Sequence, residues 1–354
     1  MNSRFKLLVL ALAVILCACS RRQASSSVAG GTDMAPEAKY LTLIQQDDCV
    51  MAEVSTPWSG GKPIATYRID KPLERSVVFS SVHTAAIDEL GAIGCVAGVA
   101  DGAYFVPDDT VARLMANGRI ADVGSSMSPM VEKIIDLDAD AVLVSAMEGG
   151  APAQLVQSGI PVIYLADYLE ETPLARAEWI KFIGLLYGRG EAADSVWNNV
   201  RREYTLLRDR VANVGSRPVV LTEKPMSGVW YVPGGHSYMA RLIADAGGKY
   251  PWDADTSTGS LPLDEGGVID RASEADVWLI KDARDITASG LLAEVPHAKA
   301  FKAYPAATYF CNTVEKPFFN SVAFHPERVL RDYAMIFHPE KFGDAKPQYF
   351  EKIK

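Results

Sequence analysis

Between Ser76 and Leu165, short β-branched runs alternate with stretches whose apolar residues recur every three to four positions. Ser76–Ser80, Cys95–Val99, Ile120–Val123, Ala141–Val144 and Pro161–Leu165 read as strands; Thr84–Leu90, Thr110–Asn117, Pro129–Leu137 and Ala151–Gln157 read as the helices between them. This βα repetition predicts a mostly parallel sheet flanked by helices. Asp108 and Asp109 stand where Thr110–Asn117 needs an N-cap, and Ser128 with Pro129 reads as an N-cap followed by proline at the first helical position.

Upstream, Tyr40–Ile44, Cys49–Val54 and Ile64–Ile69 alternate polar and apolar residues around Trp58-Ser-Gly-Gly-Lys62, the pattern of a small antiparallel addition. Downstream of Thr172 the strand signal stops. Two helices follow, broken near Gly188-Arg-Gly190, and the second, about Glu191–Val211, carries Ala193, Val196, Trp197, Val200, Tyr204 and Leu207 at helical spacing. From Pro218 the βα rhythm resumes through Val277–Ile280 to a last helix at Pro326–Ile336. The expected architecture is α/β: two Rossmann-like lobes joined by a single long backbone helix, with the ligand cleft between them. The expected divisions are residues 40–171 for the first lobe, 172–214 for the helical segment and 215–354 for the second lobe.

The chain begins with Arg4 and Lys6, then an apolar run from Leu7 to Ala18, the anatomy of a signal peptide over residues 1–18. A dozen apolar residues make roughly 18 Å of helix, short of a ~30 Å hydrocarbon core. Leu16-Cys17-Ala18-Cys19 resembles the bacterial lipobox, which implies lipidation of Cys19 and cleavage before it. A polar spacer over residues 20–39 follows, so the mature protein is expected in the cell envelope, tethered through acyl chains and facing the periplasm or the cell surface. With 35 basic against 44 acidic residues the charge is −9, and a nucleic-acid footprint has no support. Cys49, Cys95 and Cys311 remain; Cys95 reads as a core thiol, and a Cys49–Cys311 pair is left open.

Val77-Val-Phe-Ser-Ser-Val-His-Thr84, Val96-Ala-Gly-Val99, Val123-Gly-Ser-Ser-Met-Ser-Pro129, Glu132-Lys-Ile-Ile-Asp-Leu137, Asp140-Ala-Val-Leu-Val144, Ser158-Gly-Ile-Pro-Val-Ile163, Val268-Ile-Asp-Arg-Ala272 and Ala275-Asp-Val-Trp-Leu-Ile280 occur in this order. Together, over roughly residues 76–340, they resemble the class III (iron/B12-type) substrate-binding proteins of ABC importers. The resemblance implies capture of a metal chelate (ferric siderophore, haem or cobalamin and other corrinoids) and delivery to a permease and its ATPase. It implies no intrinsic cofactor, an iron or cobalt chelate as ligand, and a monomer that changes shape little. It also implies an exposed docking glutamate on each lobe, for which Glu148 and Glu265 are the nearest matches.

Ligands of open α/β sheets bind beyond the carboxyl ends of the strands. That rule selects Ser81, His83, Tyr104, Ser125, Ser126, Met127, Met147 and Glu148 on the first lobe, and Trp230, Tyr231 and His236 on the second. Trp230 and Tyr231 offer flat faces for a conjugated ring, and Gly234-Gly235 offers close backbone approach. A zinc or manganese site on the same architecture would use His83, His236 and Glu148. A surface lipoprotein without a permease is a further alternative. For an enzyme, the phosphate-loop, nucleophile-elbow, dinucleotide and H-E-x-x-H motifs are all missing, and Glu170-Glu171 and Asp253/Asp255 read as solvated carboxylates.

Overall fold

A computed structural model describes residues 35–105 and 109–354. The signal segment, Cys19, the start of the spacer and Asp108 lie outside the described residues, as does the side chain of Tyr104.

Strands β1 (Leu41–Gln45), β2 (Val50–Val54) and β3 (Ala65–Ile69) form the expected antiparallel sheet in sequence order. It covers an edge of the next sheet. The Tyr67 hydroxyl on β3 donates to the Val162 carbonyl at 3.3 Å and accepts from the Tyr164 amide at 2.8 Å. This side-chain bridge occupies edge groups that would otherwise stand open to pairing.

The first lobe runs β4 (Ser76–Val78), α1 (Ser81–Glu89), β5 (Val96–Val99), α2 (Thr110–Ala116), β6 (Ala121–Asp122), β7 (Gly124–Ser125), β8 (Ser128–Pro129), α3 (Val131–Asp136), β9 (Ala141–Ser145), α4 (Ala153–Gln157) and β10 (Val162–Leu165). Its five-stranded sheet has the order β10-β9-β4-β5-β6, with every pairing parallel. Asp109 caps α2, accepting from the Val111 amide at 2.8 Å. Ser128 and Pro129 do not start α3, as their sequence suggests; they pair with Ser125 and Gly124 in a two-residue ladder, and the helix begins at Val131.

Three helices follow: α5 (Pro173–Glu178), α6 (Ile180–Leu186) and the 21-residue α7 (Gly190–Arg210). Ala193, Trp197, Val200, Tyr204 and Leu207 of α7 are buried, the stripe its spacing requires. The second lobe adds β11 (Val220–Thr222), β12 (Trp230–Pro233), α8 (Tyr238–Asp245), β13 (Ser260–Leu263), α9 (Glu265–Ala272), β14 (Val277–Asp282), α10 (Ala288–Glu294), β15 (Thr308–Asn312), α11 (Phe318–Phe324), α12 (Pro326–Phe337) and β16 (Glu351–Lys352). Its main sheet has the order β11-β14-β15-β16, parallel except for the last pair, while β12 and β13 form a separate antiparallel ribbon. Helix α7 packs on α6 from one side and on α12 of the second lobe from the other. Its Tyr204 hydroxyl donates to Asp245 at the end of α8, at 2.8 Å.

The three cysteines of the described chain are free, which closes the Cys49–Cys311 alternative: Cys49 immediately precedes β2 and Cys311 lies in β15 of the other lobe. Cys95 is half-buried rather than fully enclosed. Glu170 is not solvated. It is 1% exposed and accepts from the amides of Lys39 and Tyr40 and from the Trp179 indole, at 3.0–3.1 Å, so it anchors the start of β1.

Candidate functional site

The strand order of the first lobe places a crevice. From β4 the connection leads to β5 on one side; from β9 it leads to β10 on the other. Outside the carboxyl ends of β4 and β9 the two connections diverge, which is where a crevice forms in such sheets. A cavity of about 530 Å³ lies there.

Phe79, Ser80 and Ser81 enter it from the end of β4, and Val144 and Ser145 from the end of β9. Met147 and Glu148 reach it from a tight turn closed by the Gly150 amide on the Met147 carbonyl at 3.0 Å. Gly149 occupies the third position of that turn with φ 94°, a conformation that favours glycine, and so holds Met147 and Glu148 at the rim. Asp101, two residues beyond β5, lines the third side. It accepts from the Ser126 amide at 3.2 Å, which brings Ser126 and Met127 to the same wall. Met127 and Met147 are exposed, and their flexible thioether side chains give the wall an adaptable apolar surface.

The second lobe meets the first beside this cavity. The Ser81 hydroxyl at the start of α1 donates to Asn320 of α11 at 3.3 Å, so the segment that follows β15 abuts the segment that follows β4. Met226 after β11, Val314 after β15 and Phe319 at the start of α11 are large apolar residues left exposed at that end of the lobe. Met226 is held by the turn Met226-Ser227-Gly228-Val229, in which both central residues have positive φ.

The predicted residues are placed unevenly. Ser81, Ser126, Met127, Met147 and Glu148 line the cavity; Ser125, Tyr231 and His236 do not. Trp230 is not a cleft wall. It is fully buried, stacked on Trp278 at 5.7 Å and edge-on to Phe301 at 5.5 Å, and its indole donates to the Thr222 carbonyl at 3.0 Å. The alternation of β12 sends Trp230 into the core and Tyr231 out to solvent. Gly234 and Gly235 allow close approach to the chain itself: a Cβ at either would collide with carbonyls of the 252–259 loop.

His83 is also withdrawn from the cleft. It is 2% exposed, and its Nε2 lies 2.7 Å from Asp167, whose other oxygen accepts from Arg176 at 3.0 Å. Burial alone would raise the Asp167 carboxyl, but the neighbouring His83 and Arg176 outweigh it and hold the group well below the ordinary carboxylate range. The Arg176 guanidinium in turn covers the Tyr238 ring of the second lobe at 4.7 Å. His83 is buried and does not line the cavity, so it does not meet Glu148 there as the zinc or manganese alternative requires. Among the described residues no three His, Cys, Asp or Glu side chains converge as a metal site.

Glu265 begins α9, well apart in sequence from the cavity residues, with its carboxylate 3.2 Å from His297. A larger depression of about 850 Å³ lies between the antiparallel sheet and Thr256–Gly259, and it contains none of the predicted site residues. Sequence reasoning missed Asp101, although it lies two residues beyond β5; the strand-end candidate there was Tyr104, three residues further along.

The model of the family described as periplasmic binding protein matches residues 87–307. The chain belongs to that family. It is a class III substrate-binding protein with the two-lobe α/β fold, and not an enzyme. An uncharacterized lipoprotein of Methanocaldococcus jannaschii is 29% identical over 294 residues, covering 80% of this chain and 70% of the relative. A periplasmic haem-binding protein of Pseudomonas aeruginosa shares the fold with a TM-score of 0.61 at 17% identity, over 80% of this chain and 98% of its own. The periplasmic vitamin B12 binding protein of Vibrio cholerae does so with a TM-score of 0.58 at 14% identity, over 77% of this chain and 99% of its own. Among the described residues, no helix of this binding protein is long and apolar enough to cross a membrane.

Proposed function

We propose that this binding protein captures a metal chelate, of the ferric siderophore, haem or corrinoid type, between its lobes and hands it to an ABC permease driven by its ATPase. The observation that carries the reading is the cavity at the diverging ends of β4 and β9, one of whose lining residues, Ser81, bonds Asn320 of the second lobe. Its volume lies within the ordinary range for small-molecule sites. In this reading Cys19 carries the lipid anchor and the protein works at the outer face of the cytoplasmic membrane or on the cell surface, as a monomer. The lipoprotein name of its archaeal relative supports that placement.

Calorimetric titration of the full-length protein in detergent with cyanocobalamin, haem and ferric siderophores tests the reading. Saturable binding of one class at micromolar affinity or better is expected. Folded protein that binds none of them would remove the chelate assignment.

A further inference from the structure

The charge of the crevice is one-sided. Asp101 and Glu148 line the cavity, with the hydroxyls of Ser80, Ser81, Ser126 and Ser145 between them. Among the described lining residues there is no Lys, Arg, His or Tyr. The first-lobe wall therefore presents two carboxylates and no cation. Among the described lining residues there is also no imidazole or phenol that would complete the coordination shell of an incoming metal.

The cations at the carboxyl ends of strands β11 and β14 of the second lobe are already paired. Lys224 bonds Asp282 at 3.0 Å and Glu294 at 2.6 Å. Arg284 pairs with the same two carboxylates, and Lys281 pairs with Glu223. Three cations thus meet three carboxylates there and leave no surplus positive charge. A chelate entering this opening meets net negative charge in a partly water-excluded gap, where charge counts for more than on an open surface.

Resting on the metal-chelate reading above, we infer that the crevice selects a coordinatively saturated chelate of zero or positive net charge. Asp101 and Glu148 are the residues that exclude anionic ones. Ferric trihydroxamates carrying a free ammonium, and neutral corrinoids, meet both conditions. A ferric tris-catecholate, with three negative charges, fails the first. Haem, with two propionates and an axial position to fill, fails both.

The test titrates the full-length protein in detergent with a cationic ferric trihydroxamate, cyanocobalamin, a ferric tris-catecholate and ferric haem. It is repeated with the Asp101→Asn, Glu148→Gln double variant. Asn tolerates the left-handed backbone at position 101 (φ 54°), and its side-chain carbonyl can still accept from the Ser126 amide. One or both of the first two ligands should bind at least tenfold more tightly than the last two, and the double variant should narrow the gap to threefold or less. Should the variant not fold, raising the salt concentration on the unaltered protein should narrow the same gap. Binding of the tris-catecholate as tight as that of the neutral and cationic ligands, or haem binding with the spectrum of axial ligation, would overturn the charge selection and leave the chelate reading standing. A gap unchanged by both the double variant and salt would also overturn it. Binding of none of the four would remove the chelate reading and this selection with it.

Discussion

Glu89, in α1 of the first lobe, accepts from His325 of the second with both carboxylate oxygens, at 2.7 and 2.8 Å. The other ring nitrogen of His325 lies 3.0 Å from Glu327, which Arg328 approaches at 3.6 Å. Burial would lower the His325 pKa, but the two carboxylates prevail and push it up to about 9, so the ring donates from both nitrogens as an imidazolium. Helix α1 is thus fastened at both ends: Ser81 bonds Asn320, and Glu89 bonds His325.

A His325→Gln variant should lose about 1–2 kcal/mol of stability at neutral pH, since Glu89 is one-third exposed and water screens part of the pair. The folded pKa of His325 is raised, so its contribution is complete below about 6.5 and is lost as pH rises through about 9. Burial raises the Glu89 carboxyl but His325 lowers it further, so its contribution holds above about 4.5 and fades as pH falls below that. Urea unfolding of both proteins between pH 5 and pH 10 checks this. A stability difference that grows toward alkaline pH would contradict the clamp.

Asp167→Asn should destabilise by about 3–5 kcal/mol, because it leaves Arg176 buried and His83 facing an amide. The expected signature is a large drop in the urea midpoint with little change in ligand affinity of the protein that remains folded. A selective loss of affinity would return His83 to the binding site.

Trp230→Ala should cost about 3–5 kcal/mol through the void left against Trp278 and Phe301. Ligand affinity, measured calorimetrically well below the melting temperature, should stay within threefold of the parent. A tenfold loss without a stability change would place Trp230 in the cleft after all.

Glu170→Gln should loosen the start of β1 by about 1–3 kcal/mol, because an amide oxygen replaces the carboxylate that serves Lys39, Tyr40 and Trp179. Hydrogen exchange should quicken at the amides of residues 39–45 and not in β14. Uniform acceleration across both sheets would mean that the bond is global rather than local.

The parallel strands were legible because burial on both faces writes them as unbroken apolar runs, as in Ala141-Val-Leu-Val144. The ribbon of β12 and β13 was not. Trp230-Tyr-Val-Pro sits between Gly228 and Gly234-Gly235, which read as loop, and its partner lies thirty residues away. The strand-end rule found Ser81, Ser126 and Met127 because the crevice is a property of backbone topology. It failed at His83 and Trp230 because their partners, Asp167 and Trp278, are 84 and 48 positions distant in the chain, and no local pattern records such pairings.

The crevice has an optical consequence. None of the six tryptophans lines it, so an arriving ligand touches no indole. Coupling between ligand and indole then depends on spectral overlap through space. A corrinoid or haem, absorbing where indole emits, dims the whole protein by energy transfer, whereas a chelate transparent in that range can fill the same space and leave the emission nearly unaltered. The protein's own light thus reports the colour of its cargo more faithfully than its occupancy.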